Sequence, residues 1–324
     1  MTVNWEPSCS FELLQLRAKL LHEIRDYFYN NHVLEVETPQ LCQATGTDPY
    51  LDYFTSNYSK DGLTLFLQSS PEFAMKRLLA SGSGSIYQIS KAFRNGESGR
   101  YHNPEFSILE WYRVDFNLWQ LMDDVDNLLG PLLKQSQFSN KTQRTSYLDV
   151  FKKYTGLDAL QFDVDFYQKH AEKLGFYEAK ELCGKDHSLW LDFLFSHVVQ
   201  ENLGHNNLCM VFDYPACLPS LARLKQEDSR VVERVELFIQ GVEIGNGFFE
   251  LSDVDEQTKR FDQEIMHRKN NGAVDIGKDS RFLAALDKGL PDCSGIAIGI
   301  DRLLMILSQQ NSINEVLAFP IENA

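Results

Sequence analysis

Near the amino terminus Leu13, Leu14, Leu16, Leu20, Leu21, Ile24 and Phe28 recur at three- and four-residue steps. That spacing predicts an amphipathic helix over 11–30, packed on something apolar. Over 33–39 apolar and acidic residues alternate until Pro39, a pattern that suits a strand at an edge or interface. Residues 63–68 read as a further strand, and Ser70-Pro71-Glu72 as a helix start with serine as cap and proline in the first helical position. A Gly/Ser turn over 81–85 leads into a short strand over 86–90, and another strand is predicted over 106–112.

The stretch 135–227 looks mostly helical, with helices near 147–154, 163–174 and 188–200, and reads as peripheral scaffolding. Strands return over 208–213 and 231–240, the latter turning through a glycine corner into 242–251. Helices are predicted over 253–269 and 280–288, before an apolar strand from Ser294 that runs to Arg302 and a last helix. No internal repeat or low-complexity segment is present, and no linker divides the chain, so a single domain is expected.

Composition changes this picture little. At 324 residues, 43% hydrophobic and 24% charged, the chain is expected to be soluble and globular, large enough to bury a core without staples. Six cysteines (Cys9, Cys42, Cys183, Cys209, Cys217, Cys293) are scattered without metal-ribbon spacing, which predicts reduced thiols. No leader-like segment opens the chain and no apolar run is long enough for a membrane span, so a cytosolic protein is expected. The net charge of −15 opposes general nucleic-acid affinity and fits a solubilising acidic surface.

Four clusters carry candidate chemistry. The first runs from Ala92 to Phe106 and holds Arg94, Asn95, Gly96, Glu97, His102 and Asn103. Arg94 suits a phosphate and Phe106 a purine face, although an arginine-rich hairpin is also simply a solvated loop. In the second, Glu243 and Glu250 stand seven residues apart across a glycine-bearing bend. They can converge on one Mg²⁺ or lie exposed on an ordinary hairpin. Gly295-Ile-Ala-Ile-Gly299 with Asp301-Arg302 forms the third, either a floor that lets a ligand reach the backbone, with Arg302 at a helix start for a triphosphate, or a buried strand whose aspartate caps the next helix. The fourth comprises Glu72, Glu110 and Tyr112 in apolar surroundings, suited to a cationic ligand or to an internal salt bridge. Walker, dinucleotide, zinc-protease and nucleophile-elbow motifs are missing from the sequence.

In this order the clusters resemble the catalytic domain of class II lysyl-tRNA synthetases, from Leu16 to Phe319. The resemblance implies an α+β fold, an antiparallel β-sheet flanked by helices. The first helix with 33–39 is similar to the family's dimer-forming motif 1, 93–106 to motif 2, and 295–302 to motif 3. It further implies that Arg94 holds the α-phosphate, that Asn95, Gly96, Glu97, His102, Asn103, Ile244 and Gly299 line the ATP site, and that Phe106 stacks on adenine. Arg302 would meet the γ-phosphate side, and Glu243 and Glu250 would bind Mg²⁺. Glu110, Tyr112, Asn246, Phe248 and Glu250 would surround the substrate ammonium, with Glu72 and Ser70 facing its other amino group.

Three departures bear on substrate. Only about ten residues of this sequence precede the first helix, so the family's anticodon-reading barrel is expected to be absent. In that respect, and in Pro291-Asp-Cys-Ser-Gly295, the chain resembles the truncated group that attaches (R)-β-lysine to a lysine of bacterial elongation factor P. Ala297 stands where lysyl-tRNA synthetases have glycine and that group has alanine, a methyl-sized change worth roughly 1–3 kcal/mol in a tight pocket. Gly96 replaces a glutamate that the family places near adenine, a role open to Glu97 or to a backbone group. The resemblance thus implies an ATP- and Mg²⁺-dependent ligase, a homodimer, with a protein acceptor in place of tRNA. A tRNA-charging enzyme and a non-catalytic paralogue with a binding role are the alternatives.

Overall fold

The computed structural model describes residues 5–136 and 138–324, and these fall into two compact units, Met1–Asn117 with Leu251–Ala324, and Leu118–Glu250. Both combine strands and helices in the α+β manner.

In the first unit, helix α1 (Phe11–Asn30) starts at Ser10, whose Oγ accepts from the Leu13 N–H at 3.4 Å. It buries Leu20, Ile24 and Phe28, three of the seven apolar positions in the predicted stripe, and each such side chain contributes about 1.5–3 kcal/mol. Strand β1 is shorter than expected. Only Leu34–Glu35 pairs, and in parallel, with β5 (Ile86–Phe93). Beyond the Val36 N–H, which still reaches the Tyr87 carbonyl at 2.9 Å, the approach to Pro39, which has no N–H to give, ends the ladder. Strands β2 (Leu41–Cys42), β3 (Thr55–Tyr58) and β4 (Leu63–Leu67) make a separate small antiparallel sheet in the order β2-β4-β3.

Helix α2 begins at Glu72 and runs to Ala80, so Pro71 occupies the cap position, not the first helical turn. Ser70 nevertheless does the capping work, since its Oγ accepts from the Glu72 N–H at 3.0 Å. Strand β5 then pairs antiparallel with β6 (Glu105–Val114), and β6 with β11 (Cys293–Gly299). Helices α8 (Val254–Asn270), α9 (Ser280–Lys288) and α10 (Ile300–Leu307) complete the unit.

The second unit opens with α3 (Leu118–Gln135), which the sequence reading passed over although Leu118, Leu121, Met122, Val125, Leu128, Leu129, Leu132 and Leu133 are all buried at helical spacing. Strand β7 (Ser139–Ser146), for which the sequence predicts no element within the mostly helical stretch, pairs in parallel with β8 (Asn207–Pro215). Its residues are polar throughout, so no apolar alternation announces it. Helices α4 (Tyr147–Thr155), α5 (Val164–Lys173), α6 (Ala179–Cys183) and α7 (His187–Leu194) gather around Tyr147, Phe151, Tyr167 and Trp190. The helix predicted over 188–200 continues past α7 as a π turn, Phe195–Val199, and a short 3-10 turn. Strands β9 (Val231–Ile239) and β10 (Val242–Phe249) form a hairpin closed by Gln240 and Gly241, both at positive φ (52° and 72°), the two-residue turn whose twist matches paired strands.

All six cysteines are free thiols, and among the described residues no helix is long and apolar enough to cross a membrane. At Gly204, with φ +65°, a Cβ would lie 2.4 Å from the Phe238 carbonyl oxygen. Gly204→Ala is expected to destabilise the chain by about 2 kcal/mol or more, read as a lower urea midpoint at unchanged slope.

Candidate active site

Side chains alternate along a strand, so register decides what shares a face. On β6 the even positions Phe106, Ile108, Glu110 and Tyr112 face one way, opposite Gly299, Gly295 and Ala297 on β11, with Ala297 directly across from Glu110. The small residues of β11 thus form a low floor beside an aromatic ring at one end and a carboxylate at the other. From Phe106 to Glu110 is four residues of extended chain, about 13 Å.

At the Phe106 end the arginines assemble. The Arg94 guanidinium lies over the Phe106 ring, 5.1 Å from its centroid, and among the described residues its buried Nε has no hydrogen-bond partner. Glu97 stands between Arg94 (3.8 Å) and His102 (4.0 Å). Arg302 donates to the Tyr101 carbonyl at 3.1 Å and lies 2.7 Å from His102 Nε2, and its aliphatic stem passes close to Gly299. The hairpin between β5 and β6 and the start of α10 therefore meet. Asn95 pairs through its backbone with Asp52, and Gly96 adopts φ +79° with open space beside it. Asn103 is buried, bonding the Glu105 carbonyl at 2.5 Å and accepting from the Ile321 N–H at 3.0 Å, so its amide stiffens the hairpin.

Asp301 does not cap α10. Gly299 holds the cap position, and the buried Asp301 carboxylate takes Arg17 from α1 at 2.6 Å and the Ser107 N–H at 2.6 Å. Arg17 also donates to Ser107 Oγ at 2.7 Å. One carboxylate thereby ties α1, β6 and α10 behind the floor.

At the opposite end, Glu110 is buried and takes the Ser70 hydroxyl at 2.7 Å on one oxygen and the Tyr112 hydroxyl at 2.5 Å on the other. Burial first, and then the neighbouring Glu72 carboxylate, push Glu110 up to about 8, while Tyr112, Ser70 and Lys76 pull it only partly back. Ser70 joins the two acids, since it donates to Glu110 and accepts from the Glu72 backbone. The cluster thus holds Glu110 buried and shifted toward its protonated form.

In the second unit β10 carries Glu243, Ile244, Asn246 and Phe248, and Glu250 follows in a bridge to Ala222. Seven residues is an odd interval, so a regular strand would turn Glu243 and Glu250 to opposite faces. A bulge between Glu243 and Gly245 shifts the register, and places Glu243 on the face of Asn246, Phe248 and Glu250. Across the hairpin that face meets Arg234, Glu236 and Phe238.

Arg234 and Glu236, which the sequence reading did not single out, lie on the same face as Asn246 and Glu243. Arg234 pairs with Glu236 and donates to the Asn246 side-chain oxygen at 3.2 Å and to the Leu218 carbonyl at 3.3 Å. Tyr214 donates to the other Glu236 oxygen at 2.6 Å. Burial drives Glu236 up to about 7, with Arg234 lowering it and Glu243 raising it. Two carboxylates close enough to repel are donors of the hard-oxygen type that Mg²⁺ prefers. Alternating charges inside the apolar run Val-Val-Glu-Arg-Val-Glu-Leu-Phe were the available signal. Among the described residues no group of three or more His, Cys, Asp or Glu side chains forms a ready metal cage.

The family model for tRNA synthetases class II (D, K and N) matches residues 5–323. The chain is 44% identical over 325 residues to the elongation factor P (R)-beta-lysine ligase of Pasteurella multocida (strain Pm70), covering 99% of this chain and 98% of the relative. It is 42% identical over 327 residues to the protein of that name from Yersinia enterocolitica serotype O:8, covering 100% and 99%. A third, from Haemophilus ducreyi, is 42% identical over 328 residues, covering 99% and 98%.

Two outcomes follow from the buried acids. With Glu110 raised, the folded chain binds more protons than the unfolded one between an ordinary glutamate value of about 4.3 and about 8, so stability falls as pH rises through that window. Glu110→Gln is expected to flatten that fall, measured as thermal midpoints from pH 5 to 8.5. Arg234→Met strands Glu236 without its cation and is expected to destabilise by about 3–5 kcal/mol in urea titrations. R234M combined with E236M should recover most of that loss.

Proposed function

The chain belongs to the tRNA synthetases class II (D, K and N) family, and from that premise we propose that it activates (R)-β-lysine with ATP and transfers it to a lysine side chain of elongation factor P. One observation carries the reading. A single sheet face holds Phe106, with Arg94 over its ring, at one end and Glu110 with Tyr112 at the other, which suits an aminoacyl adenylate laid along β6. End-to-end similarity to the elongation factor P ligases supports the acceptor.

In the first step a carboxylate oxygen of the amino acid attacks the α-phosphorus of ATP and the bond to the β-phosphate oxygen breaks, releasing pyrophosphate. Arg94 neutralises charge that develops on the α-phosphoryl oxygens, and Arg302 takes the outer phosphates. Phe106 holds adenine, with Glu97 or a backbone group reading its edge in the place vacated at Gly96. Glu110, Tyr112, Ser70 and Glu72 hold one amino group. Asn246, oriented by Arg234, and Phe248 are assigned to the amino acid as well. Glu243 and Glu250, with Glu236 beside them, would hold Mg²⁺, which when bound screens phosphate charge. In the second step the acceptor amine attacks the carbonyl of the mixed anhydride, AMP leaves and the amine loses a proton. No protein nucleophile takes part. The outward side of α1, with Phe11 and Tyr29 exposed, is assigned to a homodimer contact, and a monomer in light scattering at micromolar concentration would contradict it.

The test is pyrophosphate exchange with (R)-β-lysine and α-lysine, followed by intact mass of elongation factor P and gels of tRNA. Exchange with a mass gain on the factor is the expected result. Charged tRNA without that gain would instead favour a tRNA-charging enzyme. Arg94→Ala should lower exchange about 100-fold or more. Because a bound ammonium draws the proton from Glu110, the KM for the amino acid should fall as pH rises from 6.5 to 8, by up to about tenfold per unit.

A further inference from the structure

Helix α2 buries a lysine that the reading above does not use. Lys76 lies one turn beyond Glu72, on the same helix face, and its side chain is 1% exposed. A lysine this deep is uncommon, and it requires a partner, because an unpaired ammonium out of water costs several kcal/mol. Its Nζ lies 2.6 Å from Glu72 Oε1. The surroundings are dry on the other side. Phe282 of α9 has its ring centroid 5.9 Å from the ammonium, and Phe282 stacks on Phe73 at 4.4 Å with Phe261 of α8 beside them.

Glu72 differs from its partner, for its side chain is 18% exposed against 1% for the lysine. One end of the pair is thus sealed under aromatic rings, and the other opens toward Ser70 and Glu110. In a dry setting an ion pair loses its freedom to swing, so a buried lysine fixes the direction of a half-buried carboxylate. The charged groups near this point are Glu72 and Lys76 on α2 and Glu110 on β6, with Arg77 next along the helix. Lys76 neutralises Glu72, which leaves the Glu110 carboxyl, once it gives up its proton, to answer one cation of a ligand.

We propose that Lys76 is a positioning residue for the amino acid: it locks the Glu72 carboxylate in the orientation that receives an amino group and limits this cluster to one substrate cation. The inference rests on the ligase reading and deepens it. Lys76 touches no reacting atom, so its effect must pass through Glu72 and must appear in amino-acid binding, leaving ATP binding alone.

A double-mutant cycle tests this in pyrophosphate exchange, with Lys76→Met, Glu72→Gln and the pair combined. Lys76→Met is expected to raise the KM for the amino acid at least tenfold, with kcat and the KM for ATP changed less than threefold. In the Glu72→Gln background the same substitution should change the amino-acid KM less than twofold. Effects that multiply, or a Lys76→Met variant that lowers kcat and ATP affinity as much as amino-acid affinity, would overturn the proposal. Thermal melts confirm that each variant folds. If Lys76→Met does not, Lys76→Gln, which can donate to Glu72 without a charge, takes its place in the cycle with the same expected non-additivity. Wild-type protein without exchange for any diamino acid would sink the ligase reading itself, an outcome separate from multiplicative effects in an active enzyme.

Discussion

Carboxylates withdrawn from water govern how this chain is put together. An anion buried without a counterpart either takes up a proton or destabilises the fold by several kcal/mol, and of the buried carboxylates Asp301, Glu110 and Glu236 sit at structurally decisive points. Asp301 is answered by Arg17 and the Ser107 backbone, and that answer fixes the first and last long helices of its unit against β6. Glu110 is answered by two hydroxyls and, at longer range, Lys76. Glu236 is answered by Arg234 and Tyr214. The first of these is closed and structural, whereas Glu110 remains shifted toward its protonated form and Glu236 is crowded by Glu243.

That contrast separates scaffold from chemistry more sharply than residue type does. Asp301 and Arg302 are neighbours in the chain, yet the aspartate points into the helix packing and the arginine to Tyr101 and His102. Strand alternation makes the same division on β6, where Ser107 serves the helices and Phe106 and Glu110 the floor formed with β11. A few short strands can therefore carry both a core and a ligand surface without compromise between them.

Much of this was legible beforehand. The apolar stripe of α1, the polar hairpin after β5 and the small-residue strand β11 announce themselves, because periodicity, turn chemistry and glycine each leave a local mark. What escaped had a mark that points elsewhere. Lys76 sits in Met-Lys-Arg, which reads as the solvated side of a helix, and only α9 closing over it reveals that it is dry. Arg234 and Glu236 look like the exposed half of an edge strand until β10 covers their flank. Strand β7 has no apolar side at all, so its pairing with β8 is a tertiary fact. Capping by Asp301 was one of two local alternatives, and a partner 284 residues away excludes it.

The bulge at Glu243 and Gly245 has a consequence for how such hairpins tolerate change over generations. Its acids share a side only because the strand carries one supernumerary residue, so the segment behaves like a reading frame. Exchanges of one amino acid for another leave the frame intact, whereas losing a residue from the regular stretch after the bulge, such as Gly247, would send Glu243 and Glu250 to opposite sides without altering either. Descendants of this chain are accordingly free to vary the letters of that turn far more than its length.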